Sequence, residues 1–190
     1  MTPVRDRRTE ILTSAARLFA VSGFHGVSID DLGAEIGVSG PSIYRYFVGK
    51  DAILSEMLVD ISRRLLAGAT ERVEANETAK AQLSALIGFH VDFAVSDRDL
   101  IAVQYRDLGN APDRERRLVR QLQRSYVALW VDVLLQLYPK VKRDRAERAV
   151  RALFGLLNST PYIGRGVDPD TADLLRGMAA AAIAEACQFR

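Results

Sequence analysis

Apolar residues recur along this chain every three to four positions and almost nowhere at every second position, which is the signature of helices and not of strands. Ile11, Ala15, Leu18 and Phe19 share one face of a first helix, read from Arg5 to Val21. The stretch Ser22-Gly23-Phe24-His25-Gly26 closes it, with Gly23 suited to the left-handed conformation that follows a helix C-terminus. Ser28 precedes a second periodic run, Ile29 to Ile36, and is placed to cap it. Asp30 and Asp31 in its first turn suit the positive end of the helix dipole. Gly37-Val38 makes a turn, and Ser39 caps a short third helix through Phe47, with Pro41 tolerated in its first turn. Gly49-Lys50-Asp51 breaks that helix and starts a long fourth one, to about Val73.

Five further helices follow, separated by glycine and proline: about Thr78 to Val95, Asp99 to Leu108, Pro112 to Tyr138, Asp144 to Thr160 and Pro169 to Ala186. A loop carrying Gly164 and Gly166 precedes the last. The fold class is therefore all-α, with about nine helices and no internal repeat.

Composition changes this picture little. Of 190 residues, 48% are apolar and 26% charged, which suits a soluble globular chain with a substantial core. The net charge is only +2, so any basic footprint must be local. The single cysteine, Cys187, excludes an intrachain disulfide and fits a reducing, cytoplasmic setting; in its Ala-rich helix it reads as a small packing residue. No apolar run approaches the length of a membrane span, and the basic start lacks the apolar core of a signal peptide. The two histidines, His25 and His90, fall in different parts of the chain. No metal-ligand spacing, Gly-rich phosphate loop or nucleophile-base pair accompanies them, so no catalytic set, metal or cofactor is expected.

Candidate chemistry concentrates between Ser28 and Lys50. Two short helices joined by a tight Gly-containing turn have the shape of a helix-turn-helix, with Ile29, Leu32, Ile36, Val38 and Ile43 as its inner face. The outward residues of the second helix, Gly40, Pro41, Ser42, Tyr44, Arg45 and Tyr46, are small, hydroxylic, aromatic or cationic, with no carboxylate. A duplex is read by such a mixture: small residues allow approach to base edges, hydroxyls and backbone N–H groups bind phosphates, and an Arg pairs with guanine. Lys50 is placed for a phosphate, and Arg5, Arg7 and Arg8 for a basic arm. The plainer alternative is a connector whose aromatics are core, as Phe47 is on either reading.

The run Phe24, Val27-Ser28-Ile29-Asp30-Asp31-Leu32-Gly33-Ala34-Glu35-Ile36-Gly37-Val38-Ser39, Ser42-Ile43-Tyr44-Arg45-Tyr46-Phe47 and Lys50 resembles the N-terminal signature of TetR-type (TetR/AcrR) repressors. The resemblance covers about the first 60 residues in type and spacing, and the remainder only in length and helical pattern. It implies a three-helix DNA-binding domain, residues 1–50, and a helical ligand-binding and dimerisation domain, residues 51–190. It places phosphate and base contacts on Ser28, Ser39, Gly40, Pro41, Ser42, Tyr44, Arg45, Tyr46 and Lys50. A common variant has His where this chain has Tyr46, and a Tyr can still donate to phosphate. Repression is the family's usual mode.

The C-terminal part carries polar and aromatic residues set into apolar faces: His90 with Phe93, Tyr105, Tyr126 four before Trp130, Phe154 four before Asn158, and Tyr162. Convergent aromatics with a few hydrogen-bonding groups are what a small, largely apolar effector requires, although each could equally be core. The stretch from Leu153 to Pro161 resembles that of bacterial relatives tied to acyl-CoA or lipid metabolism, and the arginine run from Arg114 to Arg124 is either a solvated face or a phosphate site. Arg106 could meet an acidic ligand or solvent. Two stripes, Ala146, Ala149, Val150, Leu153 and Leu157, and Leu174, Leu175, Met178, Ala181 and Ala182, would form a homodimer through the last two helices, unless they pack within one chain. The expected partners are thus an operator duplex, a small-molecule effector and a second copy, with no membrane. A ligand-independent helix-turn-helix regulator and a helical enzyme are the alternatives.

Overall fold

The computed structural model describes residues 7–163 and 169–188. Among them every regular element is helical: α1 (Arg7–Ser22), α2 (Ile29–Glu35), α3 (Gly40–Ile43), α4 (Lys50–Glu74), α5 (Ala79–Ser96), α6 (Arg98–Asp107), α7 (Asp113–Leu137), α8 (Arg143–Leu157) and α9 (Pro169–Cys187). Short 3-10 turns follow α6 (Leu108–Asn110) and α8 (Thr160–Tyr162). The boundaries agree with the periodicity to within a residue or two, except at the end of α8, which stops at Leu157 three residues before the expected Thr160, and in α3. There only one turn is α-helical, and the backbone continues to Tyr46 through tighter i to i+3 bonds. Arg5 and the loop from Gly164 to Asp168 lie outside the described residues.

The chain divides into two compact units. The first comprises residues 1–61 and 99–119, the second residues 62–98 and 120–190. Both α4 and α7 contribute to each unit. The compact first unit is thus larger than a domain ending at residue 50, because its core takes in Val103, Ala111 and Val119 beside Phe19, Ile43, Leu54 and Leu58.

In the first unit, α1 ends where Gly23 turns to φ +76°, its N–H bonded to the Phe19 carbonyl at 2.8 Å. The α1 C-terminus also receives Arg106 of α6, whose guanidinium donates to the carbonyls of Phe19 and Ala20 and pairs with Asp107. Arg106 is therefore committed inside its own unit while its side chain stays 45% exposed to solvent, and it needs no acidic ligand. His25 in the following loop contacts Asn110 Oδ1 at 3.0 Å.

In the second unit, Trp130, Leu86, Leu134, Leu157 and Ile183 are fully buried. Here the stripe expected on α8 for a dimer is used within the chain: Ala146, Val150, Leu153 and Leu157 are buried in the same cluster as Ala172, Leu175, Ala179, Ile183 and Cys187 of α9. An α8–α9 pair sealed along these small and branched residues is the intrachain packing left open above. Leu174, Met178, Ala181 and Ala182 of α9 remain exposed.

Candidate nucleic-acid interface and buried aromatic site

The helix-turn-helix is held by local chemistry legible residue by residue. Ser28 Oγ accepts from the Asp31 N–H at 3.0 Å, while the Asp31 carboxylate accepts from the Ser28 N–H at 2.8 Å and from its hydroxyl at 2.6 Å. This is a capping box with Asp in the position usual for Glu or Gln. The Ser28 side-chain bond, then the backbone bond, hold the Asp31 carboxyl below its usual range. α2 stops at Gly37, φ +72°, and α3 crosses it so closely that a Cβ on Gly33 would lie 2.8 Å from the Gly40 nitrogen and the Val38 carbonyl oxygen. Glu35 of α2 is paired with Arg17 of α1.

Of the nine DNA-contact residues expected, Ser28, Ser39, Pro41, Tyr44, Arg45 and Tyr46 are exposed and Ser42 is half-buried. Ser39 occupies the N-cap position of α3 without capping it; its hydroxyl instead contacts Ser42 Oγ at 2.8 Å. Two residues have intramolecular work. Gly40 is buried against Asp30, where any Cβ would collide with the carboxylate, so only its backbone is available to a partner. The Lys50 ammonium donates to the carbonyls of Phe24 and Val27, each at 2.7 Å, and lies 4.5 Å from the centre of the Phe24 ring. It stitches the α1–α2 loop to the start of α4. Arg8 is likewise internal: it forks onto Glu56, donates to the Tyr46 carbonyl at 2.5 Å and lies over the Phe47 ring at 4.2 Å. Arg7 pairs with Glu10. Sequence spacing could not reveal these roles, since Arg8 and Glu56 are 48 positions apart.

In the second unit the structure brings six of the eight expected ligand residues together. His90 lies parallel to Phe154, centroids 4.7 Å apart and planes 8° apart, and stacks on Tyr126 at 5.7 Å. Phe93 and Trp130 meet it edge-on at 5.7 and 6.1 Å. Tyr126 Oη contacts Nδ1 at 2.9 Å and Asn158 Oδ1 contacts Nε2 at 3.1 Å. An amide oxygen only accepts, so Nε2 carries the proton and Nδ1 accepts from the Tyr126 hydroxyl. A neutral imidazole meets both demands. Burial pushes the His90 imidazole down to about 4, the Asn158 bond opposing it, and burial pushes the Tyr126 phenol up. His90 also satisfies the Asn158 amide oxygen without a ligand or a second chain. Tyr105 and Tyr162 do not join: Tyr105 belongs to the first unit and is 62% exposed, and Tyr162 is 75% exposed. For Tyr105, a place on the outer side of α6 prevails over the helical spacing that suggested convergence.

Two family models match this chain: the bacterial regulatory proteins of the tetR family over residues 11–57, and the tetracyclin repressor-like C-terminal domain over residues 76–162. The chain belongs to the TetR family. As such it is a DNA-binding transcriptional regulator, and the first unit contains its helix-turn-helix. It is similar to the HTH-type transcriptional repressor KstR2 of Rhodococcus jostii (strain RHA1), with 25% identity over 158 residues, 83% of this chain and 77% of that protein. The solved structure of a TetR-family transcriptional regulator from Bordetella parapertussis 12822 matches with a TM-score of 0.83 and 26% identity, covering 92% of this chain and 94% of that one. The fold is shared also with the regulator FadR of Bacillus subtilis, solved in complex with stearoyl-CoA: TM-score 0.68, 17% identity, 95% and 97% covered. No helix among the described residues is long and apolar enough to cross a membrane.

Proposed function

We propose that this TetR-family chain is a dimeric repressor, and not an enzyme, that leaves its operator when a small, largely apolar molecule enters the second unit. The observation that carries the DNA-reading part is the outer surface of α3 and its continuation. Tyr44, Arg45 and Tyr46 are exposed there in succession, and Arg45 forms no ion pair among the described residues. Arg45 reads a base edge, Tyr44 and Tyr46 donate to phosphates, and Ser28, Ser39, Ser42 and the backbone at Gly40 and Pro41 fix the register. Lys50 retains one N–H for a phosphate beside its two carbonyl bonds.

Dimerisation uses the outer side of α9, where Leu174 is 61% and Met178 42% exposed beside Gly177, Ala181 and Ala182, together with Ala152 and Gly155 of α8. Two helices from each protomer form a four-helix bundle. The paired recognition helices then meet half-sites about one DNA turn (~34–36 Å) apart.

The effector acts on the His90 ring stack. α5 carries His90 and, one residue earlier, Phe89, which lies over Arg72 at 4.1 Å and so near Gly68 that a Cβ there would collide with it. A shift of α5 is thereby passed to α4, one unbroken helix back to Lys50. The effector's differential affinity for the two arrangements supplies the coupling. Likeness to FadR, solved with stearoyl-CoA, and to the ketosteroid transcriptional regulator KstR2 supports a lipid-like or acyl-CoA effector.

Fluorescence anisotropy with the chain's own upstream DNA tests this reading. Arg45→Ala is expected to weaken operator binding by about 1–3 kcal/mol at fixed salt with unchanged melting temperature. Unchanged affinity removes Arg45 from the reader.

A further inference from the structure

Four arginines on α7 have nothing within the chain to hold. Arg114, Arg117, Arg120 and Arg124 follow one another at spacings of three, three and four. One continuous helix therefore sets them on one side, within an arc of about 120°. All four are exposed, and none forms an ion pair or hydrogen bond among the described residues. Other arginines of the chain meet carboxylates, as Arg8 meets Glu56, Arg17 Glu35 and Arg151 Glu147. The carboxylates of α7 do not relieve the row: Asp113 is taken by Arg116, Asp132 by Arg143, and Glu115 lies on the other side of the helix by its spacing. Folding gains nothing from this arrangement. Like charges three and four apart on a helix repel. Arg114 and Arg117 also stand near the N-terminal end, where the helix dipole disfavours cations. Local choices that oppose the fold point to a role outside it.

We propose that the outer side of α7 is a second, sequence-independent DNA contact, in which these four arginines bind the phosphates of a duplex strand. It adds to base reading by the helix-turn-helix and takes no part in it. The row is all arginine, and guanidinium forks match phosphate oxygens two at a time where a lysine would offer a point charge. From Arg114 to Arg124 the helix advances about 15 Å, and one strand of B-DNA presents about four phosphates over that length. The row thus offers about one cation per phosphate. With a net charge of only +2, the molecule as a whole draws polyanions weakly, so the attraction is local to such a row. The exposed residues beside it, Gln121, Ser125 and Ala128, are polar or small, which leaves no large apolar side chain to enter a lipid layer. The phosphates belong either to DNA flanking the operator or to a second duplex, and experiment separates the two.

Fluorescence anisotropy of the intact protein on a long duplex of random sequence, from about 50 to 200 mM salt, tests the contact. A variant carrying Arg114→Gln, Arg117→Gln, Arg120→Gln and Arg124→Gln is expected to lower the slope of log affinity against log salt by about 3–4 for each protomer engaged, the loss of four phosphate contacts. Its melting temperature is expected to hold or rise, because repulsion along the helix is relieved. The matching lysine variant is expected to keep most of the slope. A control carrying Arg63→Gln, Lys80→Gln and Lys140→Gln, exposed cations outside the row, is expected to change it little. A gap between parent and glutamine variant that widens as the upstream DNA is lengthened assigns flanking DNA. Capture of a second labelled duplex by protein already saturated with the first, lost in the glutamine variant, assigns a second duplex. An unchanged slope in the glutamine variant, or an equal fall in the control, overturns the proposal. Phosphatidylserine vesicles that retain the parent and not the glutamine variant, with the DNA slope unchanged, would give the row to a membrane surface instead.

Discussion

Gly33 and His90 show how much can rest on single positions. At Gly33 a methyl group would meet backbone atoms of Val38 and Gly40, which cannot swing away as a side chain could. Gly33→Ala is expected to destabilise the protein by about 1–3 kcal/mol and to weaken operator binding by forcing α2 and α3 apart, read by thermal melting and anisotropy. His90 makes stability depend on pH. Its folded value of about 4 lies below the usual 6.5, so between these the unfolded chain binds the extra proton. Stability from this residue is complete above about pH 6.5, falls as pH drops towards about 4, and the loss is then about 3 kcal/mol. Between about pH 7.5 and 4.5, where most of this loss occurs, His90→Gln should show a smaller drop in Tm than the parent, by roughly 5–10 °C. Equal drops would show that His90 does not titrate in this way. The capping serine, the αL glycine and the outward face of α3 were legible because each obeys a local rule. The commitment of Lys50 and Arg8 to internal bonds was not, because their partners come from distant turns of the chain.

At the level of elements, α1 is secured by α6. Arg106 binds the last carbonyls of α1 and neutralises Asp107, whose carboxylate is almost fully buried. Arg106→Ala leaves that carboxylate without its cation and exposes the helix end, so a loss of about 3–5 kcal/mol is expected in urea unfolding. Asp107→Asn added to it should recover part of the loss; no recovery would mean that helix capping alone accounts for the effect. Helical periodicity located all nine helices of the described residues yet could not say which apolar stripe faces a partner. On α8 and α9 a stripe for intrachain sealing and one for association have the same spacing, and only packing separates buried Leu175 from exposed Leu174. The same ambiguity misplaced Tyr105 and Tyr162, whose exposure no i, i+4 rule could reveal.

For the whole molecule, the proposed dimer links association to DNA reading. Met178→Arg on the outer side of α9 is expected to yield a monomer by light scattering, and to weaken operator binding more than tenfold because two half-sites are no longer engaged together. A dimer that persists would move the interface elsewhere. The first compact unit has a further consequence, set by its interleaved path along the chain. Its core draws on residues 1–61 and again on residues 99–119, with α5 encoded between. On the ribosome the DNA reader therefore cannot finish folding when its helix-turn-helix emerges. It must wait for Val103, Arg106, Ala111 and Val119, by which time much of the second unit has also been synthesised. A fragment ending at Ile61 would lack those residues and remain poorly folded, so the reader is not a detachable cassette. A nascent chain competent for DNA is one that has already made α5, the helix carrying His90.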